Sequence, residues 1–470
     1  WIDNSSWQWK KHPVIRLDMS EAASKNGTLE TVRKGIVNIL LANAKKLGVS
    51  DLEIDAPHLM LARLIQKAKE AHNNTNVVVI IDEYDKPLLD VIEDPVRFSE
   101  IQNELSDFYS QLKPREQDVR FVFITGVFKF TKTSIFSGLN NLNDISFDMQ
   151  AAELLGYTEQ EVRKYFAEHL HVLAIKRGES VDALMFALRD KYNGYTFGIE
   201  TGTDRLSAGV YNPFGLNYVF KDQQLLNNWF ASGTPSALIK TLEKEGFKTL
   251  ETEALTLNFN TLKNSCTPQA ITALTMLYYA GYVTLKSCAT DRSGNTSETM
   301  IKVGFPNIDV EVDFSQALLP ALLEKSFDAV SQLIQKIKKV FNDVRLDGLQ
   351  NVLNDALASC SYLVLARPYD PVPQENLYQL VFHYLFFASN LRTTMEETTN
   401  RGRIDIVVET VRAVFLLEIK MNEPASKALQ QIKDMDYAAK YRHQKQEIYA
   451  VGICLSSKER CVTELLWKQL

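Results

Sequence analysis

Asp405, Glu418 and Lys420 are the residues of this 470-residue chain whose types and spacing point most directly to chemistry. They sit in two adjacent strand-like runs, Arg403-Ile-Asp-Ile-Val-Val-Glu409 and Ala413-Val-Phe-Leu-Leu-Glu-Ile-Lys420. Strand side chains alternate faces, so Glu418 and Lys420 point the same way, and a tight turn at Thr410 to Arg412 brings Asp405 beside them. Two carboxylates offer hard oxygen ligands to Mg²⁺. A lysine next to such an ion positions a water or offsets charge growing on a phosphate. This is the pattern of metal-dependent phosphodiester chemistry, and a hairpin ending in solvated charges is the plainer alternative.

A second set of carboxylates closes the apolar run Val77-Val-Val-Ile-Ile-Asp82, which is followed by Glu83. The arrangement resembles a Walker B element: Asp82 would bind the metal through water, and Glu83 would be the general base of nucleotide hydrolysis. Apolar strands ending in acidic residues are common, so the motif alone is weak. A further run, Val119-Arg-Phe-Val-Phe-Ile-Thr-Gly126, places Thr125 where a sensor-type residue would face a γ-phosphate. Lys129 and Lys132 behind it read as solvated loop charges. The sequence contains no G-x-x-x-x-G-K-[ST], so ATP binding does not follow from these residues. The seven histidines show no paired-ligand spacing, and no G-x-S-x-G elbow is present.

The elements that must position these groups read as α/β. A chain of this length exceeds one hydrophobic core, so two or three domains are expected. Val77 to Asp82 and Val119 to Gly126 are continuous apolar runs, the pattern of parallel strands buried on both faces. Helical periodicity covers Leu29 to Lys46, His58 to Ala71 and Val96 to Leu112, and Pro13 to Asp18 forms a short strand. Strands alternating with helices imply an α/β sandwich for residues 1–150. From Tyr157 the pattern turns helical, with Thr158 as N-cap and Glu161 completing a capping box; residues 151–260 read as a helical lid. A helix at Ile271 to Gly281 and a hairpin (Tyr282 to Lys286, Met300 to Gly304, turning at Ser-Gly-Asn) suggest a winged-helix-like module. With the helical connector Asp313 to Leu357 it fills 261–360. The tail, 361–470, reads helix (Glu375 to Ser389), strands (Thr393 to Glu397, Arg403 to Glu409, Val414 to Lys420), helix (Ala425 to Lys440), strand (Ile448 to Leu455). Its first helix carries Leu377, Leu380, Val381, Tyr384 and Leu385 on one core-facing stripe.

Composition bounds the rest. A 45% hydrophobic and 23% charged chain is ordinary for a globular protein. The apolar segments Leu377 to Ala388 and Ala273 to Tyr282 are too short for membrane spans and read as buried helices. No secretory segment opens the chain. Five scattered cysteines without C-x-x-C spacing argue against a zinc site or disulfide framework and fit a reducing cytoplasm. A net charge of −6 and a pI near 5.8 argue against a globally basic nucleic-acid coat and leave room for a local basic face. The opening Trp-Ile-Asp, without an initiator methionine, suggests a fragment whose true start lies upstream.

Several motifs together resemble a known family: Pro13-Val-Ile-Arg-Leu-Asp18, Ile80-Ile-Asp-Glu-Tyr-Asp-Lys-Pro-Leu88, Phe123-Ile-Thr-Gly-Val127, Ser134-Ile-Phe-Ser-Gly-Leu-Asn-Asn141, Tyr192-Asn-Gly-Tyr195 and Tyr211-Asn-Pro-Phe214. They look like the bacterial AAA-ATPase-like family of unknown function, whose members commonly carry a C-terminal nuclease-like domain. The resemblance implies a phosphate-binding loop before the Pro-Val-Ile strand, outside the sequence shown. The tail resembles the PD-(D/E)XK nuclease superfamily. Asp405 matches its motif aspartate, Glu418-Ile-Lys420 its (D/E)-x-K element, Gln430 or Gln431 a polar position on the next helix, and Glu375 an additional acidic residue. Catalytic roles then fall to Asp405, Glu418, Lys420 and Glu83, nucleotide contacts to Asp82 and Thr125, and metal ligation to Asp405, Glu418, Asp82 and Glu375. The implied protein is an ATP-binding AAA-like module with a helical lid, coupled to a Mg²⁺-dependent nuclease acting on DNA or RNA. The alternative is a nucleotide-dependent switch or scaffold whose nuclease fold binds nucleic acid or a protein partner without cutting. No membrane role is implied, and oligomerisation stays open. Lys427, Lys433, Lys440, Arg442 and Lys445 could contact phosphates, although a solvated helical face is the simpler reading.

Overall fold

The structure, a computed structural model, describes residues 9–23, 27–129, 135–136, 139, 141–200, 203–229, 236–245, 247–250, 255–264, 272–291, 298–360, 374–443 and 445–470. Lys132 and the Ser-Gly-Asn turn of the expected hairpin lie outside them. The fold divides into two compact units. One comprises Trp1–Ile145, Leu257–Ala280 and Thr290–Met300; the other comprises Ser146–Thr256, Gly281–Ala289 and Ile301–Leu470.

In the first unit, strands β1 (Val14–Asp18), β2 (Val77–Asp82) and β3 (Val119–Ile124) form a parallel sheet in the order β1-β2-β3. Helices α1 (Leu29–Lys46), α2 (Pro57–Ala71) and α3 (Pro95–Ser110) supply the crossovers that parallel strands require. Local chemistry starts each helix. Thr28 and Thr31 form a reciprocal cap on α1, Pro57 occupies the first turn of α2, and Asp94 accepts the Val96 and Arg97 amides ahead of Pro95. Asn43 of α1 brackets β1, accepting from the Arg16 amide at 3.0 Å and donating to the Arg16 carbonyl at 2.9 Å.

The sheet departs from the expected burial on both faces. In β2 the odd residues, Val77, Val79 and Ile81, are fully buried, and the even ones only partly. Phe121 in β3 is 55% exposed. Among the described residues β3 is an edge strand, and the even residues of the central β2 show that one face of the sheet is incompletely covered.

In the second unit the predicted capping box at Thr158 is present, with the Glu161 amide donating to Thr158 Oγ1 at 3.2 Å and the Thr158 amide donating to Glu161 Oε2 at 2.9 Å. Helix Ala273–Tyr279 belongs to the first unit; along the chain it is followed by strands Thr284–Asp291 and Glu298–Gly304 in the expected order, and the connector of the second unit consists of helices Ile308–Leu322, Phe327–Asn342 and Leu349–Leu357.

The tail begins with helix α4 (Gln374–Ala388), followed by β4 (Arg392–Thr398), β5 (Arg403–Glu409), β6 (Ala413–Met421), α5 (Ala425–Asp434), β7 (Glu447–Ser456) and β8 (Cys461–Gln469). The sheet order is β8-β7-β6-β5-β4; β6 and β7 run parallel and the other pairs antiparallel. Two details correct the sequence reading. α5 stops at Asp434, because Asp436 adopts a left-handed φ of 47° and the chain tightens into a 3₁₀ turn over Tyr437–Lys440. A fifth strand, β8, follows where no element was expected.

α4 is buried around its whole circumference rather than along one stripe: Leu377, Tyr378, Val381, Phe382, Leu385 and Phe386 are all 2% exposed or less. It lies between helix Ile308–Leu322 and the sheet. Phe341 joins the layers, its ring 5.1 Å from Phe386 and 5.0 Å from Phe415 of β6. No helix among the described residues is long and apolar enough to cross a membrane.

Candidate functional site

β6 is the central strand, with every residue from Ala413 to Ile419 buried. Apolar side chains are at home there. Glu418 is not, and its side chain is only 1% exposed. Antiparallel registry pairs Ile406 with Leu417 and Val407 with Leu416, so Asp405 falls opposite Glu418 and on the same face. That face also carries Val407 and Leu416, which pack with Ile432 of α5.

Each charged group is held. Asp405 Oδ2 accepts from the Ile419 amide at 2.7 Å, and Lys420 Nζ donates to Glu418 Oε1 at 2.9 Å. Glu375, in the first turn of α4, lies within electrostatic reach of Lys420 and Glu423. Glu418 Oε2 is shut away from solvent with no hydrogen-bond partner. Burial first, and Glu418 second, push the Asp405 carboxyl up to about 7. Burial also raises Glu418, against the pull of Lys420, and raises Glu375. Lys420 is held above the usual lysine value: burial opposes this, but its bond to Glu418 and the charges of Asp405 and Glu375 prevail.

Gly452 sets the height of α5 over this site. It is the registered neighbour of Glu418 across β6 and β7, and a Cβ there would stand 2.3 Å from the Ala425 carbonyl. The Ala425 amide at the start of α5 donates to Glu464 Oε2 of β8 at 2.8 Å. The structure thus brings Asp405, Glu418, Lys420 and Glu375 together. It does not bring in the glutamines: Gln430 donates to Asp434 on the exposed face, and Gln431 reaches Tyr437 at 3.5 Å. Of the basic residues nearby, Lys427 pairs with Glu423, Lys440 with Glu397 and Arg442 with Asp436, in line with a solvated face. Among the described residues, no three His, Cys, Asp or Glu side chains stand close enough to cage a metal ion as they are.

The first unit holds the other carboxylates. Asp18 and Asp82 are registered neighbours at the ends of β1 and β2. Thr125 Oγ1 donates to Asp82 Oδ1 at 2.7 Å. Glu83 has a left-handed φ of 49°, a conformation disfavoured for a residue with a Cβ, and it turns the chain directly after the strand. Burial, then the charge of Asp18, raises its carboxyl. Arg16 Nη2 lies 3.7 Å from Asp18 and 3.8 Å from Asp82. Lys129 pairs with Asp144.

Sequence reasoning gave no role to Asp18, Arg16 or Asp85. For Asp18 the signal was available, since β1 and β2 both end in aspartate and parallel alignment places those ends side by side. Asp85 is fully buried and accepts from the Val127 amide at 3.1 Å and from the Phe128 amide; burial pushes it up to about 6.

Comparison with known proteins places the two carboxylate clusters in separate family matches. Residues 1–136 match the family described as a predicted AAA-ATPase, and residues 373–465 match the PD-(D/E)XK nuclease superfamily. The chain is also 32% identical over 475 aligned positions to an uncharacterized protein encoded in the vnfD 5′ region of Azotobacter chroococcum mcd 1, covering 99% of this chain and 85% of that protein. No solved structure matches.

Proposed function

We propose a function from one premise: the chain belongs to the same family as the Azotobacter protein, and it joins an AAA-ATPase-like domain to a PD-(D/E)XK nuclease superfamily domain. Its C-terminal carboxylates hydrolyse nucleic-acid phosphodiester bonds with Mg²⁺, and its first domain binds the nucleotide that regulates them. The observation that carries this reading is Glu418 Oε2, a buried carboxylate oxygen without a partner. Such an atom costs folding free energy unless a cation meets it.

Asp405, Glu418 and Glu375 would hold Mg²⁺. When bound, the ion would polarise the scissile phosphate and acidify the attacking water. Lys420 keeps its proton under three nearby carboxylates, so its role is to donate: it orients the water and offsets charge on the phosphate rather than acting as base. Asp405 is pinned by the Ile419 amide, which fixes its carboxylate before any ligand arrives. In the first domain Asp82 would hold the nucleotide's metal through water, Glu83 would accept the proton of the attacking water, and Thr125 would face the γ-phosphate. The raised carboxyl of Glu83 suits a general base.

The second reading, a binding module that does not cut, is favoured by one feature. Lys420 occupies Glu418 Oε1, and the carboxylates are not arranged as a ready cage. Incubating the purified protein with DNA and RNA in Mg²⁺ or Mn²⁺ separates the two. Cleavage that Lys420→Ala lowers by a hundredfold or more supports the nuclease. Equal cleavage by the variant removes Lys420 from the mechanism, and metal-independent binding without cleavage supports the binding module.

A further inference from the structure

We propose that Asp85 is the positioning residue of the first domain's carboxylate site: it fastens the segment after β3 so that Thr125 keeps its hydroxyl on Asp82. The inference rests on the nucleotide reading of that site for its functional meaning, and on hydrogen bonds for its geometry.

The β2–β3 ladder has its last registered pair at Ile81 and Ile124. Beyond that point parallel strands ordinarily part into separate loops. Here they stay joined. The Thr125 amide donates to the Ile81 carbonyl at 2.8 Å, and the Tyr84 amide donates to the Thr125 carbonyl at 3.0 Å. Asp85 then takes two successive amides, Val127 and Phe128, with its two oxygens. The Tyr84 hydroxyl donates to the Phe128 carbonyl at 2.5 Å, so Phe128 is gripped at both its backbone polar groups. The Tyr109 hydroxyl donates to the Tyr84 carbonyl at 3.1 Å and steadies that side of the grip.

Gly126 is the opening through which the carboxylate reaches this backbone. A Cβ at that position would lie 2.4 Å from the Tyr84 ring and 2.5 Å from Asp85 Oδ1. Asp85 is 0% exposed, and the charge it feels most is the like charge of Glu83. A buried carboxylate held by amides alone is expensive, and an apolar residue would serve a core better. What the carboxylate supplies is acceptors alone toward consecutive N–H groups: Oδ2 accepts from both amides and Oδ1 shares that of Val127, whereas asparagine would set an NH₂ donor against the Val127 amide. Thr125 lies two residues before Val127, so the grip sets where its hydroxyl falls.

Amide hydrogen exchange in the nucleotide-free chain tests the geometry, and steady-state nucleotide hydrolysis tests the consequence. Asp85→Asn is expected to speed exchange at Val127 and Phe128 by at least tenfold while α1 to α3 keep their protection, and to lower kcat with KM for the nucleotide little changed. Tyr84→Phe, which keeps the carboxylate and loses one bond, should give a smaller acceleration at Phe128, and it serves as the test should Asp85→Asn not fold. Unchanged exchange in both variants overturns the proposal, as does faster exchange with unaltered kcat. A wild-type chain that neither binds nor hydrolyses nucleotide defeats the nucleotide reading instead, and the exchange result still decides whether Asp85 holds the segment.

Discussion

Asp405→Asn separates a binding site from an ordinary buried acid, because it should stabilise the protein and disable it at once. Asparagine keeps the oxygen that accepts from the Ile419 amide and removes the charge that burial and Glu418 oppose. A carboxyl raised from 3.8 to about 7 costs the folded state ~4 kcal/mol once both forms are ionised. The buried asparagine amide carries a desolvation cost of its own, which leaves a net gain of about 2 kcal/mol. For a unit of this size that corresponds to a rise in Tm of roughly 4–8 °C in EDTA at pH 8. The sign follows from linkage. Because the folded-state pKa lies above the unfolded one, wild-type stability is greatest below about 4 and falls as pH rises through about 7. The variant lacks this slope, so its advantage shrinks on acidification. Adding Mg²⁺ or Mn²⁺ at a hundred times its Kd should return about 2.7 kcal/mol to the wild type and little to the variant. Thermal melts with and without divalent ions provide the assay. A variant that melts below wild type in EDTA, or that gains as much from the ion, would refute the reasoning.

Two further outcomes follow from the same geometry. Divalent-ion affinity measured by calorimetry should strengthen from pH 6 to pH 8, since burial and the neighbouring Glu418 hold a proton on Asp405 that the ion must displace; a flat profile contradicts the coupling. Gly452→Ala should cost about 2–3 kcal/mol in urea unfolding and weaken ion binding, because its methyl collides with the Ala425 carbonyl and lifts α5 from the sheet; wild-type stability would show that α5 is not so tightly seated.

The parts of this fold legible in the sequence are those governed by local pattern. Alternation in Arg403 to Glu409 and Ala413 to Lys420, separated by a short turn, placed Asp405 beside Glu418 and Lys420 without reference to anything distant. The Thr158–Glu161 cap and α1 were equally local. Long-range placement decided what was missed. Phe121 reads as core, yet it lies on an edge strand and is exposed. The run Cys461–Gln469 mixes charged and apolar residues because β8 is itself an edge strand, and this masked it. Gly452 and Glu464 look unremarkable in isolation; their roles exist only because α5 crosses above them. Asp85 escaped notice for the same reason, its partners lying 42 and 43 residues away.

The central claim is that Asp405 and Glu418 converge on one divalent cation. Anomalous diffraction from crystals of the protein soaked in Mn²⁺ tests it most directly. The account predicts a single strong peak between the two carboxylates, within bonding distance of Glu418 Oε2. A peak elsewhere in the tail, or none while Glu418 Oε2 stays bare, would contradict it.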